Sequence, residues 1–286
     1  MKKRNIERST PFSREIKEAC GLWDLQGLCM NRSSECTIVV EAFDMEDDPV
    51  ESYSEMIDED EIYVKACLAE KIGAICSLLL HKNENGKSNV YVKQFMPDHA
   101  SGKPVIESDL KMTEQEFVEW WKERKHGKQK NAYRTDMQIG TGERYFDSLL
   151  ESNDTSWSSN ADGFLTEKDE TGDVAVRALI ENRIADKCKV KSYDPNRYFG
   201  RDYKTWVGSI KLADALGVPL FLCTYSRRAG QDRYMGVGRI VSVDETGLIF
   251  SNGRRPDKNI MDNAADVKKW IEDEIRRFRE ERKNNA

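Results

Sequence analysis

The chain has 286 residues, 38% hydrophobic and 34% charged, enough for one large domain or two ordinary ones. No stretch reaches the eighteen or so uncharged apolar residues of a spanning helix, and Met1-Lys2-Lys3-Arg4-Asn5 leads into polar sequence rather than a signal-peptide core, so a cytoplasmic, membrane-free protein is expected. The formal net charge of −6 is unevenly spread, with 14 Lys and Arg against 23 Asp and Glu up to Phe117 and 31 against 28 beyond it; seven cysteines without a CxxC pair and three scattered histidines argue against a disulfide framework and a structural zinc.

Cys36 to Phe43 is rich in β-branched residues and predicts a buried strand. Asp44 to Asp60 is an acidic connection. Ile62 to Leu68, Ile72 to His81 and Asn89 to Phe95 are expected as strands, the last two joined by a tight turn at Asn85-Gly86. Pro97 to Pro104, with Ser101 and Gly102, has the composition of an interdomain connection. Thr113 and Glu116 then form a capping box for a helix burying Phe117, Trp120 and Trp121, and Thr141 opens a second helix with Tyr145, Phe146, Leu149 and Leu150 inward. Strands come next at Ala161 to Thr166 and Val174 to Ala185. Tyr203 to Leu216 is helical, ends at Gly217, and passes through Pro219 into the apolar strand Leu220 to Tyr225. A hairpin turns at Asp244 to Gly247, and the C-terminal helix buries Val267, Trp270, Ile271, Ile275 and Phe278. The expected division is a smaller α+β domain over 1–112, for recognition, dimerisation or regulation, and an α/β domain over 113–286.

The second half carries acids in a suggestive order. Gly142-Glu143-Arg144 opens a helix, Asn160-Ala161-Asp162-Gly163-Phe164 opens a strand, and Leu179-Ile180-Glu181-Asn182-Arg183 lies on the next, succeeded by helix and strand. Residues two apart on a strand share a face, so Glu181 and Arg183 project together with the Asn182 carbonyl between them. Over roughly Gly140 to Tyr225, this pattern resembles the PD-(D/E)xK nuclease superfamily. The resemblance implies a restriction-endonuclease-like mixed sheet flanked by helices, with catalytic Asp162, Glu181, Arg183 and Glu143, and a Mg²⁺ or Mn²⁺ ion held by Asp162, Glu181 and the carbonyl of Asn182. It further implies cleavage of DNA, in restriction or defence, by a possible homodimer.

Arg183 departs from the family's usual lysine. Arginine stays protonated and cannot serve as a general base, though it can stabilise a phosphorane-like transition state as a fixed cation. The departure also suits a member of the fold that has lost cleavage and binds DNA or protein instead. Lys187, Lys189, Lys191, Arg201 and Lys204 are the expected phosphate contacts, with a further basic cluster from Lys122 to Arg134. Plainer uses compete: Asp162-Gly163 as a turn, Glu181 and Arg183 as a surface ion pair, Glu143 as a helix-start acid. The acidic Asp44 to Glu61 segment also suits a basic protein partner. No Ser-His-Asp or Cys-His triad, Walker loop or dinucleotide fingerprint is legible.

Overall fold

The computed structural model describes residues 11–31, 33–46, 48–125, 141–157, 162–168, 173–253 and 259–285. A helix and a short strand come first, Pro11–Cys20 (α1) and Leu22–Asp24 (β1). Both belong with the C-terminal half of the chain, because Leu22 and Trp23 pair antiparallel with Leu165 and Phe164. The segments Leu25–Asn160 and Lys168–Ala175 make one compact unit, and α1 with β1, Ala161–Glu167 and Val176 onward make the other. This division differs from the expected one at residue 112, since the two helices after that point stay with the first unit.

The first unit contains Gly27–Met30 (β2), Cys36–Asp44 (β3), Glu59–Lys71 (α2), Ile75–Glu84 (β4), Lys87–Asp98 (β5), Lys103–Thr113 (β6), Glu114–Lys125 (α3) and Thr141–Ser152 (α4). Its five strands lie in chain order, with β3 and β4 parallel across the α2 crossover and the other pairs antiparallel. Ile38, Val40 and Ala42, on one face of β3, form one core with Leu79, Val90 and Val92 and with Phe117, Trp121, Phe146 and Trp157 of the helical side. The capping box is present: the Thr113 N–H donates to Glu116 Oε2 at 2.8 Å.

Two expected elements are corrected. Ile62 to Leu68 is helical, inside α2, whose Asp58 side chain accepts the Glu61 N–H; the run shows no exposed polar stripe because the helix is buried from Glu61 to Ala69. Pro97 to Pro104 is no linker. Pro97 pairs with Pro104 and Asp98 with Lys103, so the stretch is the turn of the β5–β6 hairpin.

The second unit continues with Gly163–Lys168 (β7), Val174–Ile184 (β8), Phe199–Leu216 (α5), Leu220–Tyr225 (β9), Met235–Asp244 (β10), Gly247–Phe250 (β11), Ile260–Met261 (β12) and Ala264–Asn285 (α6). Its sheet runs β1-β7-β8-β9-β10-β11, with β12 on β10. β8 and β9 are parallel, joined by α5 as a crossover, and pair from Leu179 with Leu220 to Ile184 with Tyr225. Ala178, Ile180, Phe221, Cys223 and Val237 face α1 and α6 through Ile16, Val267, Ile271 and Ile275. No helix among the described residues is long and apolar enough to cross a membrane.

Candidate active site

β8 has neighbours on both sides, β7 and β9, and its residues from Ala178 to Ile180 are buried apolar side chains. Glu181 continues that run at 2% exposure. A carboxylate in such a place is costly to bury unless charge or hydrogen bonds meet it. Arg183, two residues on and on the same face, meets it with Nη2 at 3.3 Å from Glu181 Oε1. The guanidinium also lies 4.7 Å above the ring of Trp206 on α5, a side chain with no exposed surface. An ion pair on one side and an aromatic face on the other fix the arginine's plane, an arrangement available to guanidinium far more than to ammonium.

Asp162 enters from the strand beside. Its N–H donates to the Ile180 carbonyl at 3.1 Å, and its Oδ2 accepts the Asn182 N–H at 2.6 Å. Two hydrogen bonds thus bind Asp162 to the residues flanking Glu181, although 19 positions separate the acids in the chain. The next residue, Gly163, is required by packing rather than by a turn: a Cβ there would stand 2.7 Å from the Trp23 carbonyl oxygen of β1. The turn reading of Asp162-Gly163 gives way to a strand start pressed against its neighbour.

Opposite Asn182 across the parallel pair sits Cys223. Its thiol is pushed up to about 12, first by burial, then by Cys20 and by the negative charge of Asp162, so it is no nucleophile at neutral pH. The site is two carboxylates and one cation, all oxygen on the acidic side. Among the described residues no three His, Cys, Asp or Glu side chains are grouped to hold a metal. A Mg²⁺ ion needs fewer, since it keeps several waters and takes one or two carboxylates with substrate phosphate. The hard oxygens of Asp162, Glu181 and the Asn182 carbonyl suit it.

The other expected residues divide. Lys187, Lys189 and Lys191 are exposed just beyond the end of β8, and Lys204 is exposed on α5. Arg201 lies on α5 with its side chain outside the described set. Glu143 is corrected in its placement: it lies on α4, which packs in the first unit, whereas the helix of the second unit preceding its strands is α1, carrying exposed Glu15 and Glu18. The second basic cluster is corrected at Lys125, which is buried and donates to the carbonyls of Ser156 and Trp157 at 2.7 and 3.1 Å; Arg124 lies over Trp120, and His126 to Arg134 fall outside the described residues. Trp206 is legible in the sequence only as a core residue, and its role beneath Arg183 requires the crossover to be known.

Comparison of the chain with protein-family models, with curated proteins and with solved structures finds no match.

Proposed function

We propose that the second unit is a PD-(D/E)xK-type nuclease domain, a Mg²⁺-dependent endonuclease hydrolysing DNA phosphodiester bonds. The observation that carries this reading is the pair of hydrogen bonds tying Asp162 to Ile180 and Asn182, which sets two carboxylates around one strand position beside a fixed cation. The order of elements agrees with it: helix α1, three adjacent strands, a crossover helix and a parallel strand. The first unit is then an insertion between β1 and β7 rather than a preceding domain.

Asp162, Glu181 and the Asn182 carbonyl would hold Mg²⁺ or Mn²⁺, which when bound supplies a water of lowered pKa and neutralises phosphate charge. Arg183 cannot take a proton from that water. Its role is to hold positive charge against the phosphate oxygens as they gain charge, in an orientation already set by Trp206 and Glu181. Lys187, Lys189, Lys191 and Lys204 steer and position the polyanion without reading sequence. One observation favours a second reading, a DNA-binding or protein-interaction module without cleavage: Arg183 is already engaged by Glu181 and Trp206, as a structural pair would be.

The test is cleavage of plasmid and of single-stranded DNA with Mg²⁺, Mn²⁺ or EDTA. Wild type is expected to cut only with metal, Asp162→Asn and Glu181→Gln to cut at background level while melting normally, and Arg183→Lys to retain activity. Cleavage surviving both carboxylate changes would place the active site elsewhere. DNA binding that weakens with salt, without cleavage in any metal, would establish the second reading.

A further inference from the structure

The sheet of the first unit assembles a hydroxyl, an imidazole and a carboxylate that the nuclease reading does not use. Parallel pairing of β3 with β4 puts Asp44 directly beside His81. The hairpin turn at Asn85-Gly86, both with positive φ, then returns the chain so that Ser88 stands opposite Asn83, on the His81 face of the sheet. Asp44 Oδ1 lies 3.0 Å from His81 Nδ1, and Ser88 Oγ lies 3.0 Å from His81 Nε2. Each ring nitrogen therefore has the partner that nucleophile activation requires: carboxylate on Nδ1, hydroxyl on Nε2.

Helix α4 completes the arrangement. A Cβ on Gly142 would lie 2.5 Å from the Phe43 Cα, so only glycine lets the helix approach β3 this closely. Three residues on, Tyr145 stacks on the His81 ring with centroids 3.5 Å apart. Its hydroxyl is 2.9 Å from Ser88 Oγ and donates to Glu114 Oε1 at 2.6 Å. Burial and the Glu114 carboxylate hold that phenol protonated, its pKa raised above the ordinary value, so it remains a donor. Asp44, Glu114 and Tyr145, though neither His81 nor Ser88, also line an open surface groove with Ser148 and Leu149.

We infer that Asp44, His81 and Ser88 form an acyl-transfer site that hydrolyses small carboxylic esters. With His81 neutral and Nδ1–H donating to Asp44, Nε2 accepts the Ser88 proton as Oγ bonds to the ester carbonyl carbon. Tyr145 turns its O–H from Glu114 toward the carbonyl oxygen that becomes negative. The carbon–oxygen bond to the alcohol breaks, and Nε2 returns its proton to that leaving oxygen. Water then attacks the acyl-Ser88 carbon and gives one proton to Nε2; the bond from that carbon to Ser88 Oγ breaks, Nε2 passes its proton to Oγ, and a carboxylic acid leaves with Ser88 restored. Asp44 is a positioning residue that keeps the proton on Nδ1 and stabilises the imidazolium formed in each half-reaction.

The experiment uses the whole chain, a fluorophosphonate probe with peptide mapping, and hydrolysis of p-nitrophenyl acetate. Ser88 is expected to be the labelled residue, with Ser88→Ala abolishing label and turnover. Asp44→Asn, which keeps the shape and reverses the imidazole's tautomer, is expected to slow labelling by roughly 10²-fold or more. Asp162→Asn and Glu181→Gln should label like wild type, so this site stands or falls apart from the nuclease. Absence of label on Ser88 in a protein that melts cooperatively, or a labelling rate unchanged in both Asp44→Asn and His81→Gln, overturns the inference and leaves the cluster as a structural network.

Discussion

Each unit sets a cation against buried acid, Lys65 in the first and Arg183 in the second, and the two clusters differ in what surrounds them. In the first unit Lys65 of α2 is 1% exposed and is held by Glu41 of β3 and by Glu61 of its own helix, the latter at 2.6 Å. In the second, Glu181 is as deeply buried but the Arg183 side chain keeps 19% of its surface. Lys65 thus lies in a sealed cluster and Arg183 in an open one. A sealed ion cluster can serve only the fold. One whose cation reaches solvent is open to a further charge partner, and it lies near the C-terminal ends of two parallel strands.

The contrast is broken most directly by deleting each cation. Lys65→Met leaves two carboxylates buried without their charge partner and is expected to destabilise the protein by about 3–5 kcal/mol. Arg183→Met takes the charge partner from buried Glu181, but at a site whose cation keeps part of its surface in water, and should cost less, about 1–3 kcal/mol. Urea unfolding monitored by tryptophan fluorescence measures both, and equal losses would show that the second cluster is as structural as the first.

Close backbone approach gives the next largest effect, and again each unit has its own case. Gly142→Ala drives a Cβ against the Phe43 backbone, and Gly163→Ala drives one to 2.7 Å from the Trp23 carbonyl oxygen. Each is expected to destabilise by about 1–3 kcal/mol, since neither neighbour is a flexible side-chain end. Gly142→Ala should also slow probe labelling at Ser88 by shifting Tyr145, whereas Gly163→Ala should leave that labelling alone.

Local signals in the sequence are sufficient wherever period, cap and turn agree. β3, β7, β8 and β9, the α3 capping box, the Asn85-Gly86 hairpin, α5 and α6 all follow from such agreement. Ile62 to Leu68 misleads because a helix buried on every side loses its polar stripe, leaving only the Asp58 cap to mark it. Pro97 to Pro104 misleads because a turn and a linker share composition, and only the pairing partners separate them. What cannot be read at all is non-local. The return of β1 to β7, the departure of α4 and Glu143 from the second unit, and the meeting of Asp44, His81 and Ser88 depend on pairings across 7 to 143 positions. Asp162 and Glu181 are legible because their pairing joins neighbouring strands of one short segment.

A smaller effect separates the Arg183 partners. Trp206→Leu removes the ring beneath the guanidinium, and a double-mutant cycle with Arg183→Met is expected to give a coupling of about 0.5–1 kcal/mol. Trp206→Phe should retain part of it. A coupling of zero would mean that the ring fills space without orienting the cation, and cleavage by Trp206→Leu should then equal that of wild type.

The smallest expected effect lies on the surface of the first unit, where His99 in the β5–β6 turn meets Glu70 of α2 at 2.8 Å and Asp173 at 3.5 Å. The Glu70 hydrogen bond and the surrounding acids raise the His99 pKa above its ordinary value. A group whose folded pKa is raised contributes stability that is full below its unfolded pKa, near 6.5, and is lost as pH rises through the folded value. Wild type should therefore exceed His99→Gln at pH 5.5 and match it near pH 9. Because the His99 side chain is 44% and that of Glu70 56% exposed, solvent screening limits the difference to a few tenths of a kcal/mol. Added salt should shrink it further, whereas the Lys65 cluster, closed to counterions, should respond little. A His99 contribution that persists at pH 9 and in salt would mean that the ring packs between the turn and α2 and that its charge is incidental.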